Sequence, residues 1–188
     1  MRLVFPSSEY EERAKAFVQE FKEDGSEVNG SGGLDDYLEK TDYQDWLKKV
    51  LRDIDVANVP PERVPAFTYF FVDDSVEGEE TIIGMINIRL CLNDFLFYEG
   101  GHIGYSIRPS KRGHGYGSEM LRQALQLCNR IGLNQVLIIC DYDNYASSGV
   151  IKHCGGVLEN ERYSDVYQTK IQRYWILMKE TFDKNGKL

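Results

Sequence analysis

What this 188-residue chain has little of narrows its role before any motif is read. No stretch approaches the ~20 apolar residues of a membrane span, so no membrane crossing is expected. The opening residues, Met1 to Pro6, offer neither a long apolar region nor a small-residue cleavage site. No secretory signal is therefore expected, and the expected compartment is cytoplasmic. Cysteine is sparse: Cys91, Cys128, Cys140 and Cys154 lie in apolar surroundings without metal-ligand spacing, as free buried thiols do. His102, His114 and His153 make no zinc pattern, so no metal is expected. Basic charge is in deficit, with 22 Lys and Arg against 30 Asp and Glu and a net charge of −8. A nucleic-acid partner needs a basic stripe against its phosphates, so that class is set aside, whereas a cationic small partner is compatible.

What is present is a globular composition, 42% apolar, 12% aromatic and 28% charged, enough to fill one domain and short for two. Residues 1–188 are read as one domain, with 1–60 a helical region and 66–179 a sheet-rich core. After a short strand at 2–5, Ser8 and Glu11 have capping-box spacing. Tyr10, Ala14, Phe17, Val18 and Phe21 recur at helical spacing until Gly25. The glycine- and serine-rich residues 25–33 are expected to form a mobile loop over a site. Thr41 and Gln44 repeat the capping box before Trp46, Leu47, Val50, Leu51 and Ile54.

From Pro65 the period becomes that of strands. Residues 66–72 and 81–92, with a polar turn at 73–80, predict an antiparallel hairpin, and 103–108 a further strand. Met120, Leu121, Ala124, Leu125 and Cys128 predict a helix over 117–131 that stops at Gly132. The continuous apolar run Val136–Cys140 predicts a strand covered on both faces, so 103–140 reads as a βαβ crossover joining two parallel strands. Asn144 can cap a helix to about Cys154, and strands at 157–163 and 172–178 close the chain. The expected fold class is α+β: a mixed, mostly antiparallel sheet with one central parallel strand pair, flanked by helices.

The sharpest local signal is the stretch Gly101–Gly117. An apolar run of Ile103, Tyr105 and Ile107 stops at Pro109; Arg112, Gly113, Gly115 and Gly117 follow, then a helix. A strand, a glycine loop and a helix start make an anion site, because the first helical amides point at the ligand. A P-loop fails, since Lys111 precedes the glycines. A dinucleotide fingerprint matches only in part: Gly113 and Gly115 fit, Ser118 takes the third glycine's place, and Asp141 stands where a ribose-binding acid would. The antiparallel flanks weigh against it. The third reading is a pyrophosphate held on successive backbone amides.

The segment from Ile107 to Gly117 is similar to the cofactor motif of the GNAT N-acetyltransferase family, Arg/Gln-x-x-Gly-x-Gly/Ala after a strand ending V-x-P. Arg112, Gly115 and Gly117 fill the defining positions, and Ile107 and Pro109 fill the strand end. Asn144 and Ser147 match the start of the helix after the next strand, and Gly155 the glycine that ends it. The resemblance covers residues 66–179 and implies acetyl-CoA as donor and no metal. It places the pyrophosphate on the amides of Arg112, Gly113, His114, Gly115, Tyr116, Gly117 and Ser118, the thioester carbonyl on the amide of Ile107, and Asn144 and Ser147 against the cofactor.

The implied reaction is direct acetyl transfer to a primary amine of a small molecule, peptide or protein. The position where many members carry an acidic tyrosine is Ile151 here, and Tyr105, Tyr142 and Tyr145 are the nearby phenols. For the base, Glu99 and His102 flank the matching place. His102 has the better pKa, yet strand alternation puts it opposite Ile107 unless a bulge intervenes. A structural histidine bonded within the sheet is the competing reading. A non-catalytic acyl-CoA-binding module is the alternative function, and a homodimer is left open.

Overall fold

The structure, a computed structural model, describes residues 1–75 and 80–178. In chain order its main elements are β1 (Arg2–Val4), α1 (Glu11–Asp24), α2 (Leu34–Lys40), α3 (Tyr43–Arg52), β2 (Ala66–Asp73) and β3 (Thr81–Arg89). A π-helical turn (Leu96–Gly100) leads into β4 (Ile103–Ile107), α4 (Tyr116–Arg130), β5 (Gln135–Asp141), α5 (Tyr145–His153), β6 (Val157–Ser164) and β7 (Thr169–Leu177). The α+β expectation holds. Part of the expected polar turn, residues 76–79, lies outside the described residues.

The strands form two sheets, ordered β1-β2-β3-β4 and β5-β7-β6, and every ladder in them is antiparallel. The expected central parallel ladder is therefore not found: among the described residues no ladder joins β4 to β5. The backbone contact between them is His102 N–H donating to the Leu137 carbonyl at 2.7 Å, at the start of β4. Residue alternation, reset by a β-bulge where the β2–β3 register shifts at Phe71/Val72, explains why the first helical half faces one side of the sheet. Phe70, Val72, Ile82 and Met85 pack with Phe17, Phe21, Tyr43 and Trp46. Tyr69, Phe71, Ile83 and Ile103 face the other way, against Met120, Leu121 and Leu125 of α4.

Local chemistry sets the helix ends, and two differ from expectation. Neither Ser7 nor Tyr10 makes a side-chain cap at the entry to α1; Ser8 opens a short 3₁₀ turn instead. At α3 the cap is Asp42, whose Oδ1 accepts from Asp45 N–H at 2.9 Å, while Gln44 reaches across to Glu11 at 2.6 Å. Thr41, one residue earlier, is instead the C-cap of α2, its N–H donating to the Tyr37 carbonyl. Asp42→Ala should cost about 1 kcal/mol, read as a fall in the urea midpoint at unchanged m-value; no change would show that α3 is fixed by packing alone.

The glycine-rich stretch before α2 is tied down. Trp46 Nε1 donates to the Ser31 carbonyl and Lys49 Nζ to that of Gly32, each at 3.0 Å. Gly30 lies flat on β4: a Cβ there would come within 2.2 Å of the Gly104 carbonyl. Only glycine fits that approach.

Candidate functional site: a split sheet facing a helix start

The register of β3 against β4 decides which backbone groups are left open. Arg89 N–H donates to the His102 carbonyl and Arg108 N–H to that of Ile83, both at 2.8 Å, so the hydrogen-bonded pairs include His102 and Arg108. By two-residue alternation Gly104 and Ser106 also bond to β3, whereas Tyr105 and Ile107 form the non-bonded pairs with Ile86 and Gly84. The amides of Tyr105 and Ile107 therefore point away from β3, into the gap before β5. A strand edge with open donors next to a second strand edge is a seat for an extended amide-bearing chain.

At the end of β4 the chain turns through Pro109–Lys111 into the glycine loop. Gly113 and Gly115 have φ of 79° and 80°, left-handed values that favour glycine. Gly115 is the N-cap of α4 and no side chain caps the helix. Glu119 N–H is the first amide to find an intrahelical acceptor, the Gly115 carbonyl at 3.2 Å, so among the described residues the amides of Tyr116, Gly117 and Ser118 remain free for an anion. A Cβ at Gly113 or Gly115 would meet nothing within 4 Å, so the loop's outer face is open.

The loop's side chains turn elsewhere. Arg112 donates to Asp24 (3.0 Å), Ser26 Oγ (2.8 Å) and the Ile107 carbonyl (3.2 Å), and lies over Phe21. It shapes the loop; its guanidinium is engaged with α1. His114 is exposed, its Nδ1 2.8 Å from the Arg112 carbonyl, and stacks on Tyr116. Gly117 is buried and faces inward, where a Cβ would meet Val150 Cγ2 at 3.1 Å; its side-chain position belongs to packing and only its amide to the cradle.

Across the gap, Asn144 Oδ1 accepts from Ser147 N–H at 2.9 Å and caps α5. Ser147 Oγ lies 3.0 Å from the Tyr105 hydroxyl, so a phenol from β4 bridges to α5 beneath the split. Burial pushes this phenol well above its ordinary value, against the Ser147 bond, and it stays protonated at neutral pH. Ile151 is fully buried in the core, while Tyr142 and Tyr145 are exposed.

The two expected base residues, His102 and Glu99, are each engaged with other protein groups. His102 Nδ1 accepts from Leu137 N–H at 3.0 Å, and its own backbone N–H donates to the Leu137 carbonyl. The ring thus clasps β5 to β4, with its proton on Nε2 and its Nδ1 lone pair already engaged. Burial and then Arg89 lower it to about 4. Gly101, with φ 67°, lets the chain turn into this arrangement. Glu99 bonds to Arg162 (2.8 Å) and Ser164 Oγ (2.7 Å). Burial works to raise it, yet those bonds hold it below the usual carboxylate range. The acid held high is Asp141, at the end of β5, through burial and then Asp143 and Glu27. In the sequence Asp141 stands only where a ribose-binding acid would, and the loop acid Glu27, far away in the chain, belongs to no motif.

No group of His, Cys, Asp or Glu among the described residues could hold a metal. Among them, too, no helix is long and apolar enough to cross a membrane.

No curated protein sequence matches the chain. Solved structures share its fold. A ribosomal-protein alanine acetyltransferase from Vibrio fischeri has a TM-score of 0.66 at 18% identity, covering 95% of this chain and 93% of that one. A variant of the spermidine N-acetyltransferase SpeG from Vibrio cholerae gives 0.64 at 13%, covering 99% and 100%. The self-immunity acetyltransferase MccE, solved with acetyl-CoA and AMP, gives 0.62 at 17%, covering 93% and 91%. The family model described as acetyltransferase (GNAT) domain matches residues 9–157. That span takes in the split, the glycine loop and both flanking helices, and the chain belongs to the GNAT acetyltransferase family.

Proposed function

We propose that the chain is an N-acetyltransferase that passes the acetyl group of acetyl-CoA directly to a primary amine of a small molecule, peptide or protein. The observation that carries this reading is the alignment of two open donor sets: the unpaired amides of Tyr105 and Ile107 in the split, and the uncapped amides of Tyr116, Gly117 and Ser118 just beyond it. The first set suits the amides of a pantetheine arm and the thioester carbonyl, the second its pyrophosphate. Acetyl-CoA supplies the activated acyl group.

In this reading the amine nitrogen forms a bond to the acyl carbon as the carbon–sulfur bond breaks. The acceptor enters as an ammonium and must lose a proton first, a task that Asp141, at the end of β5 and with no ion pair among the described residues, suits better than His102, whose Nδ1 is engaged by Leu137 N–H, or Glu99, which is paired with Arg162. The departing thiolate takes a proton, and we assign that proton to the Tyr105 hydroxyl, which lies beside Ser147 between β4 and α5. The structural neighbours are named for spermidine and for a ribosomal-protein alanine, so the fold serves small and protein acceptors alike. The competing reading, an acyl-CoA-binding module without turnover, is favoured by the burial of Ile151 in the usual acid's place.

Thiol release from acetyl-CoA across a panel of primary amines separates the two. Release with at least one amine, reduced tenfold or more in Tyr105→Phe, is the expected result. Tight CoA binding without release for any amine would leave the binding module as the function.

A further inference from the structure

A cavity of about 510 Å³ opens on the α1–α3 side of the sheet, between the 28–33 loop and the Arg89 end of β3. Most charges around it are already answered. Asp35 accepts from Ser31 Oγ at 2.9 Å, Asp36 pairs with Lys40 at 3.0 Å, and Asp53 is held by Lys49 (3.1 Å) and Arg52 (2.8 Å). Lys49 also donates to the Gly32 carbonyl. Glu62 and Arg63 are exposed.

Arg89 differs from all of these. Its Nη1 donates to the carbonyls of Gly100 (2.8 Å) and Gly101 (3.0 Å), which seats it at the end of the π-helical turn. Among the described residues no carboxylate lies within ion-pair distance, and no protein acceptor meets Nε or Nη2. A guanidinium stays charged in any protein setting and presents its N–H groups as a planar fork. Burial disfavours this charge, so an arginine left without a counter-charge at a cavity wall is completed by an anion. The fork also sits next to the reacting strand: a Cβ on Gly104 would lie 3.6 Å from Arg89 Nη2. Gly104 precedes Tyr105, and Ile107 is three strand residues on, about 10 Å away.

We propose that the cavity holds the carboxylate of a zwitterionic acceptor, an amino acid or a peptide carboxylate, with the fork of Arg89 as its anchor and the amine turned toward β4, the reacting strand. This rests on the N-acetyltransferase reading for the reaction, but not for binding. Arg89 is on this account a specificity residue: it touches the acceptor and not the reacting atoms.

The test compares amino acids with amine-to-carboxylate spacings from glycine to 6-aminohexanoate against their carboxamides. With the full chain and saturating acetyl-CoA, kcat/KM should favour at least one acid over its amide tenfold or more, with the difference mainly in KM. In Arg89→Gln that ratio should collapse to within about twofold, and Arg89→Lys should restore part of it. Equal use of acids and amides by the wild-type chain, or a preference that survives in Arg89→Gln, would overturn the proposal. Because Arg89 also holds the Gly100 and Gly101 carbonyls, a variant that fails to fold is replaced by a wild-type measurement. Calorimetric titration of the CoA-loaded chain with each acid and amide should show binding of the acid alone. Selective binding without acetyl transfer would sink the enzyme reading and keep this one; transfer to amines without carboxylate preference would do the reverse.

Discussion

Between pH 6.5 and 4 the native state should lose roughly 2–3 kcal/mol through His102 alone. The ring is buried and neutral, with its pKa lowered to about 4 by burial and then by Arg89. In the unfolded chain it takes up a proton near 6.5, so below that pH the unfolded state binds more protons than the folded one. Stability from this group is therefore complete above pH 6.5 and is lost as pH falls through the window. Urea unfolding at half-unit steps of pH measures it. His102→Gln retains a carbonyl that can accept from Leu137 N–H and has no titration, so it should flatten the slope above pH 4.5. At pH 7 it should cost about 1–3 kcal/mol, because the buried amide is imperfectly satisfied. A slope unchanged in the variant would assign acid unfolding to other groups. Full acetyl-transfer activity in the folded variant is also expected, since the Nδ1 lone pair is already engaged by Leu137 N–H; a loss of turnover at unchanged acetyl-CoA affinity would restore His102 as the base.

Gly117→Val should raise the acetyl-CoA dissociation constant at least tenfold and lower the melting temperature by about 3–10 °C. The position is fully enclosed. A Cβ already meets Val150 Cγ2 at 3.1 Å and Ile107 Cγ1 at 3.7 Å, and the two γ-methyls of valine have nowhere to go. Overpacking of this kind costs typically 1–3 kcal/mol, at about 2–4 °C per kcal/mol for a chain of this size. The neighbours that must give way are α5 and the end of β4, so Asn144, Ser147 and the Ile107 amide move together. Gly113→Ala is the control: nothing lies within 4 Å of a Cβ there, and only the left-handed backbone, φ 79°, resists it. It should cost about 1 kcal/mol and bind acetyl-CoA far better than Gly117→Val. Unchanged affinity in a folded Gly117→Val chain would place the phosphates elsewhere.

The parts that were legible in the sequence are those governed by neighbours in the chain. Gly25 and Gly132 both adopt left-handed φ at helix ends, and Asn144 caps α5 as its position suggests. The glycine loop and its helix start were equally local. What was not legible depends on groups brought together from afar. The antiparallel β7 lies between β5 and β6, and nothing in an apolar run states which strand it will pair with. Alternation left His102 unplaced because one left-handed residue, Gly101, turns the chain before β4 begins. Asp42 supplanted Thr41 as the α3 cap by a single residue, a difference that composition cannot resolve. Arg89 gave no sign at all, being one arginine at the end of a strand whose meaning comes from the π-turn carbonyls it meets.

The mooring of Arg112 to α1 bears on how the chain could be divided. The anion loop is held by Asp24, Ser26 and Phe21, and just before it Ser110 N–H donates to Glu20 at 2.7 Å while Arg108 pairs with the same carboxylate at 3.3 Å. The loop that suits the donor is therefore cast against a helix from the other half of the sequence. Residues 66–178 transplanted alone would carry the glycine motif without its mould. Fusing a foreign helical region ahead of β2 to redirect acceptor choice would reshape the donor loop as well, unless the counterparts of Glu20, Phe21, Asp24 and Ser26 travelled with it.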